Sequence, residues 1–141
     1  GFLKFHHEHQ EPHAAITIAR PLPRVLGHEA YVTQCLTNLL GNAVKFVPQG
    51  AKPAVHIRAE DAGPNTQMVR IWFEDNGIGI DPAHFPRIFE IFGQVHPEKK
   101  FGGTGIGLAI VRKAVQRMNG DVGVESEPGR GSRFWILLQK A

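Results

Sequence analysis

Two stretches of regular alternation, residues 54–60 and 68–74, constrain this chain more than any other feature. Val55, Ile57 and Ala59 fall on one face, and His56, Arg58 and Glu60 on the other. Val69, Ile71 and Phe73 repeat the pattern after a polar loop from Asp61 to Gln67. A period of two belongs to a strand with one face on a core and one toward water. Two such strands joined by a loop predict a β-hairpin, whose apolar face needs a covering layer. His56 lies on the polar face, where solvation accounts for it.

Two helical patterns supply that layer. In residues 29–46, Val32, Cys35, Leu36, Leu39, Leu40 and Ala43 form one apolar face, and Pro48 and Gly50 end the helix. Residues 105–119 place Leu108, Val111, Val115 and Met118 on one face, with Arg112, Lys113, Gln116 and Arg117 largely opposite. Asn119-Gly120 is a C-terminal stop. Ala15–Ala19 and Arg24–Leu26 read as short strands interrupted by Pro21 and Pro23. A short helical stretch is expected around Pro82–Phe92, then a glycine-rich, lysine-bearing loop from Gly93 to Thr104. Asp121–Ser126 and Ser132–Leu138 read as two final strands around the turn Glu127–Gly131. The sum is an α/β two-layer sandwich: one mixed sheet with helices on one face. Residues 1–14 read as a lead-in, and residues 15–141 as one domain.

At 141 residues the chain can bury a core without disulfides or metals. Apolar residues are 42% and charged residues 21%, which argues against disorder. No apolar run reaches the roughly 20 residues that cross a bilayer, and no secretory signal is visible. The single cysteine, Cys35, sits on an apolar helix face as a small core residue and fits a reducing cytoplasm. A net charge of +3, scattered along the chain, gives no nucleic-acid footprint. His6, His7, His9 and His13 crowd the lead-in without strand or helix period. A solvated linker accounts for them better than a metal site, which needs a fold to fix its geometry.

Three clusters carry chemistry. Asn38, Asn42 and Lys45, spaced i, i+4, i+7, fall within an arc of roughly 60° on the first helix. Asn disfavours helix interiors, so two of them one turn apart invite explanation. Their oxygens suit a hard cation such as Mg²⁺, and the lysine suits a phosphate. A solvated face with two poor helix formers accounts for the same residues. The second cluster, Asp75-Asn-Gly77-Ile-Gly79, follows a strand directly. Its glycines let the backbone approach a flat ligand, and its acid can accept from an exocyclic amine. An ordinary Asn-Gly turn is the alternative. The third, Gly102-Gly103-Thr104-Gly105-Ile106-Gly107-Leu108, opens the second long helix, where backbone N–H groups and the helix dipole suit phosphate. It is neither a Walker A loop nor a Rossmann fingerprint.

In this order the clusters resemble the catalytic and ATP-binding domain of bacterial sensor histidine kinases. That family belongs with the gyrase, heat-shock chaperone and mismatch-repair ATPases (the GHKL superfamily), whose two-layer sandwich is the Bergerat fold. Asn38–Phe46 resembles the N box, Asp75–Gly79 the G1 box, Phe89–Phe92 the F box and Gly103–Leu108 the G2 box. Gly129–Phe134 is similar to the final glycine motif, and the resemblance spans about residues 15–139.

The resemblance implies ATP and Mg²⁺ as ligands. Asp75 would accept from the adenine amine, with Gly77 and Gly79 shaping the pocket and Ser132 near the ring. Asn42, with Asn38, would hold Mg²⁺, and Lys45 would meet a phosphate. Gly103, Thr104, Gly105, Gly107 and Leu108 would bound the triphosphate. Gly93–Thr104 would be a lid, with Lys99 or Lys100 toward the γ-phosphate and Phe89 and Phe92 as its anchors. Ordinary core packing also accounts for the two phenylalanines, and solvation for the lysines. The implied partners are a dimerising helical domain carrying the acceptor histidine and a response regulator, with no nucleic acid. The isolated domain is expected to be a cytoplasmic monomer and its parent, whether or not tethered to a membrane, a homodimer.

His7-Glu8 with Pro12 echoes the family's phosphoacceptor motif, but two long helices cannot fit between it and Asn38 at roughly 1.5 Å per residue. No catalytic residue or acceptor histidine is therefore expected in this chain, which should bind ATP without phosphorylating itself efficiently. Hydrolysing relatives carry glutamate at the Asn38 position, and an amide cannot take a proton from water. The alternatives are a GHKL-type ATPase or chaperone-like module, an anti-sigma serine kinase, and a degenerate nucleotide-binding interaction module.

Overall fold

The computed structural model describes residues 15–64, 66–90 and 107–141. Six strands form one mixed sheet: β1 (Ala15–Ile18), β2 (Val25–Leu26), β3 (Ala54–Asp61), β4 (Met68–Asp75), β5 (Asp121–Ser126) and β6 (Ser132–Lys140). Two helices, α1 (Glu29–Lys45) and α2 (Gly107–Arg117), complete the two layers. β1 pairs with β3 in parallel, and every other pairing is antiparallel. The order runs β1-β3-β4-β6. Along the outer edge of β6, β5 pairs with residues 132–137 and β2 with residues 139–140.

The register explains the core. Ile57, Phe73, Phe134 and Val124 are successive cross-strand partners, as are Ala59, Ile71, Ile136 and Val122. Side chains alternate across a sheet, so these rungs share one face, and that face packs on α1 and α2. Cys35, Leu39, Leu40 and Ala43 of α1 and Val111, Ala114 and Val115 of α2 are buried in the same cluster. Cys35 has no exposed surface; burial pushes its thiol up to about 11, so it stays protonated and inert.

The opposite face is polar and aromatic. Trp72 lies under the Arg58 guanidinium, 5.1 Å from its centroid, and donates its indole N–H to Glu60 (2.7 Å). The Arg70 guanidinium covers Trp135 at 4.6 Å. Charged groups over the rings let this face meet water. His56 is exposed there, with Nδ1 2.6 Å from the Thr17 hydroxyl.

α2 ends as Asn119-Gly120 predicts. Asn119 takes a left-handed conformation (φ 59°), and the Gly120 N–H returns to the Val115 carbonyl (2.7 Å). One expectation is corrected. The short helix around 82–92 is a single 3-10 turn, Pro82–His84, followed by turns through Phe89. Pro86 has no N–H to continue a helix, and the bonds here span three residues: His84 to Asp81, Phe85 to Pro82, Glu90 to Arg87. The lead-in at 1–14, Phe92 and the loop 93–104 lie outside the described residues, as do 105 and 106, the first two residues expected in the second helix.

Candidate functional site

The apolar face of the sheet turns polar at one end. Val55 of β3 faces Asp75 of β4; one rung beyond the Glu74–Arg133 pair, Asp75 comes opposite Ser132 of β6, and Ser132 faces Ser126 of β5. This register points the Asp75, Ser132 and Ser126 side chains toward the helices. Asp75 Oδ1 accepts from the Gly77 N–H (2.8 Å) and the Ser132 N–H (3.0 Å). Oδ2 receives no hydrogen bond among the described residues. Burial pushes the Asp75 carboxyl above its ordinary value, and the two backbone donors pull against that without cancelling it. The result is a half-sheltered carboxylate with one oxygen fixed and the other free to accept.

The loop after Asp75 is pinned at several points. The Asn76 side chain accepts from the Ala54 N–H (2.8 Å) and donates to the Lys52 carbonyl (2.9 Å), tying the loop to the entry of β3. The Ile78 N–H donates to the Phe46 carbonyl at the end of α1 (2.7 Å). A Cβ at Gly77 would lie 2.6 Å from that same oxygen, so no side chain fits. Gly79 has φ 81°, and a Cβ there would overlap the Glu127 carbonyl. The Gly129 N–H reaches the Ile78 carbonyl (2.8 Å), and the Ile80 N–H reaches Ser126 Oγ (2.8 Å).

The first and third sequence clusters meet across the two helices. Asn38 Nδ2 donates back to the Gln34 carbonyl (2.8 Å). A Cβ at Gly107 would lie 3.1 Å from Asn38 Oδ1 and 3.8 Å from Asn42 Oδ1. Two amide oxygens therefore converge on the first turn of α2, beside a glycine that adds no side chain to the gap. Lys45, in the last turn of α1, is exposed and joins no ion pair among the described residues. Among the described residues, nothing stands within 4 Å of a Cβ at Gly41.

Leu108 packs partly buried against the core. Phe89 meets Phe134 edge to face, with centroids 6.3 Å apart. Ser132 is buried beside Asp75. Asn38, Asn42, Lys45, Asp75, Gly77, Gly79, Gly107, Leu108 and Ser132 all have described positions. Phe92, Lys99, Gly103, Thr104 and Gly105 lie outside the described residues. Sequence reasoning gave no role to Asn76 or Ser126. An asparagine beside glycine reads as a turn, and one serine at a strand end carries no periodic signal.

A two-layer sandwich with an acid at a strand end and paired amides at a helix–helix junction defines a nucleotide-binding architecture. The profile of the family described as histidine kinase-, DNA gyrase B- and HSP90-like ATPase matches residues 27–141, and the chain belongs to that family. The sensor histidine kinase AruS of Pseudomonas aeruginosa is 43% identical over 118 residues, covering 82% of this chain and 12% of AruS. Cyanobacterial phytochrome A of Nostoc is 39% identical over 121 residues, covering 84% of this chain and 15% of that protein. The chain thus spans a small part of these relatives. Among solved structures, full-length ShkA in complex with AMPPNP superposes with a TM-score of 0.75 at 35% identity, covering all of this chain and 30% of that one. The mycobacterial sensor histidine kinase MprB shares the fold, with a TM-score of 0.82 at 24% identity over 99% of this chain and 91% of that one. No helix among the described residues is long and apolar enough to cross a membrane.

Proposed function

We propose that residues 15–141 are the ATP-binding catalytic domain of a two-component sensor histidine kinase. In this reading the domain presents Mg²⁺–ATP to a histidine on a dimerising helical domain, in the cytoplasm, and the phosphoryl group then passes to a response regulator. The observation that carries it is Asp75. One carboxylate oxygen is held by two backbone donors, and the other is free to accept from an exocyclic amine. Gly77 and Gly79 keep the surrounding backbone close and free of side chains.

The residues present suit the magnesium nucleotide. The convergent oxygens of Asn38 and Asn42 are hard neutral ligands that would share a Mg²⁺ shell with water and phosphate, and exposed Lys45 offers a point charge to phosphate. The bound Mg²⁺–ATP supplies the phosphoryl donor. The chain's own work is positioning and charge neutralisation, which dominate phosphoryl transfer. With an amide at Asn38 there is no base at that position to activate water, which favours transfer to a protein acceptor over hydrolysis.

Calorimetric titration of the chain with AMPPNP, with and without Mg²⁺ and with the guanine analogue as control, tests this reading. Saturable, adenine-selective binding strengthened by Mg²⁺ is expected. An absence of binding at millimolar ligand would overturn it. In Asn42→Ala the Mg²⁺ enhancement should shrink by at least about tenfold, the low end of what losing even an outer-shell partner costs a metal site, while adenosine alone binds as before. An undiminished enhancement would remove Asn42 from the metal shell.

A further inference from the structure

Ser126 anchors the polar end of the sheet, and its bonds fix the direction of a proton elsewhere. Its hydroxyl oxygen accepts from the Ile80 N–H (2.8 Å) and lies 2.8 Å from the Gly131 carbonyl and 2.7 Å from Ser132 Oγ. A carbonyl only accepts, so the three contacts are all hydrogen bonds at once only when the one Ser126 proton goes to Gly131. The Ser132 hydroxyl must then spend its own proton on Ser126. Only lone pairs remain on Ser132 Oγ, on the face it shares with Asp75. The Ser132 and Gly77 backbone N–H groups are already spent on Asp75 Oδ1. An ionised Asp75 adds acceptors alone. At the ends of β4 and β6, the Asp75 and Ser132 side chains therefore offer acceptors and no donor.

We infer that Ser126 is a specificity-determining residue: it holds the Ser132 hydroxyl as an acceptor, so that the site selects a 6-amino purine over a 6-oxo purine. The inference rests on the adenine reading of Asp75 above. A 6-amino group donates to both acceptors, whereas a 6-oxo group sets a third acceptor against them. Buried polar groups left unpaired in this way are what make such discrimination strong. Ser126 acts through Ser132, so it is a positioning residue.

The test is a calorimetric comparison of AMPPNP with its inosine counterpart, which exchanges only the 6-amine for an oxygen. It uses the full chain in three forms: unmodified, Ser126→Ala and Ser126→Thr. Without the Ser126 oxygen, the Ser132 hydroxyl can turn its proton to a 6-oxo group. The adenine-to-hypoxanthine preference should then fall about fivefold in Ser126→Ala, the worth of one neutral hydrogen bond. Ser126→Thr keeps the hydroxyl and should keep the preference. A merely structural role would weaken both ligands by the same factor and leave the ratio unmoved, and that result overturns the inference. If the unmodified chain binds AMPPNP and the ratio stays fixed in Ser126→Ala, only this inference falls. If the unmodified chain binds neither ligand, the adenine reading falls with it. Circular dichroism confirms folding. Should the alanine variant not fold, Ser126→Cys, with its weak S–H donor, supplies the same arms.

Discussion

Asp75→Asn is expected to weaken AMPPNP binding by about 100-fold, the loss of a charge-assisted hydrogen bond to a sheltered acceptor. The substitution is close to isosteric. Its remaining oxygen can still take the Gly77 and Ser132 N–H groups, so the backbone around it is preserved. What changes is the other terminus, where an acceptor becomes a donor facing the ligand's amine. The ligand-free fold should be no less stable than the parent at neutral pH. Burial raises the folded-state pKa of Asp75 above 3.8, so the ionised form carries a cost that an amide does not. The stability that Asp75 contributes by protonation is present below its unfolded pKa. It is lost as pH rises through the raised folded value, and Asp75→Asn removes that dependence. In the parent, acid protonates Oδ2, because Oδ1 already serves two donors, and nucleotide affinity should begin to fall at a higher pH than an ordinary aspartate would give. Titrations across acid pH and ligand-free melting curves of both proteins check these outcomes. Parental affinity in Asp75→Asn would sink the adenine assignment.

Gly79→Ala should lower Tm by about 10 °C and abolish nucleotide binding together. Two costs combine. A left-handed conformation costs an alanine about 1–2 kcal/mol. The new methyl group would also overlap the Glu127 carbonyl, and the Glu127–Pro128 backbone cannot rotate away as a side-chain tip would. Relieving the overlap means separating the post-β4 loop from the β5–β6 turn, which the Gly129–Ile78 bond holds together. Gly129→Ala is the matched control, with φ 80° and, among the described residues, nothing within 4 Å of the added carbon. It should lose only the conformational part, about 4 °C for a chain of this size. Equal losses in the two variants would show that the close approach at Gly79 carries no weight.

The parts of the fold legible in the sequence were those where one residue's environment repeats down an element. β3 and β4 announce themselves because Val55, Ile57, Val69 and Phe73 are buried on alternating positions, with the half-buried Ile71 between the last two. α1 and α2 do so through Leu39, Ala43, Val111 and Val115. Long-range pairing was not legible. Nothing in Val25-Leu26 says that this two-residue strand shares an edge of β6 with β5. A short helical stretch was expected around Pro82–Phe92, but Pro86 breaks it locally. In the site, Asp75 was readable as an acid at a strand end. That Asn38 and Asn42 turn their oxygens to Gly107 depends on packing between two helices separated by residues 46–106, which periodicity does not encode. The Asn76 contacts and the Ser126–Ile80 contact are long-range hydrogen bonds, and single polar residues carry no pattern by which to foresee them.

β6 has neighbours along both edges, and this has a consequence for how the protein opens. The strand that supplies Ser132 to the site also supplies Phe134, Ile136 and Leu138 to the apolar core. Sliding it by one residue would send Ser132 to the outer face and drive Arg133 among the core side chains, while breaking the ladders to β4, β5 and β2 at once. No partial rearrangement of β6 spares either the ligand wall or the hydrophobic interior. The wall proposed to recognise the base is therefore expected to have no melting transition of its own and to open only with the sheet.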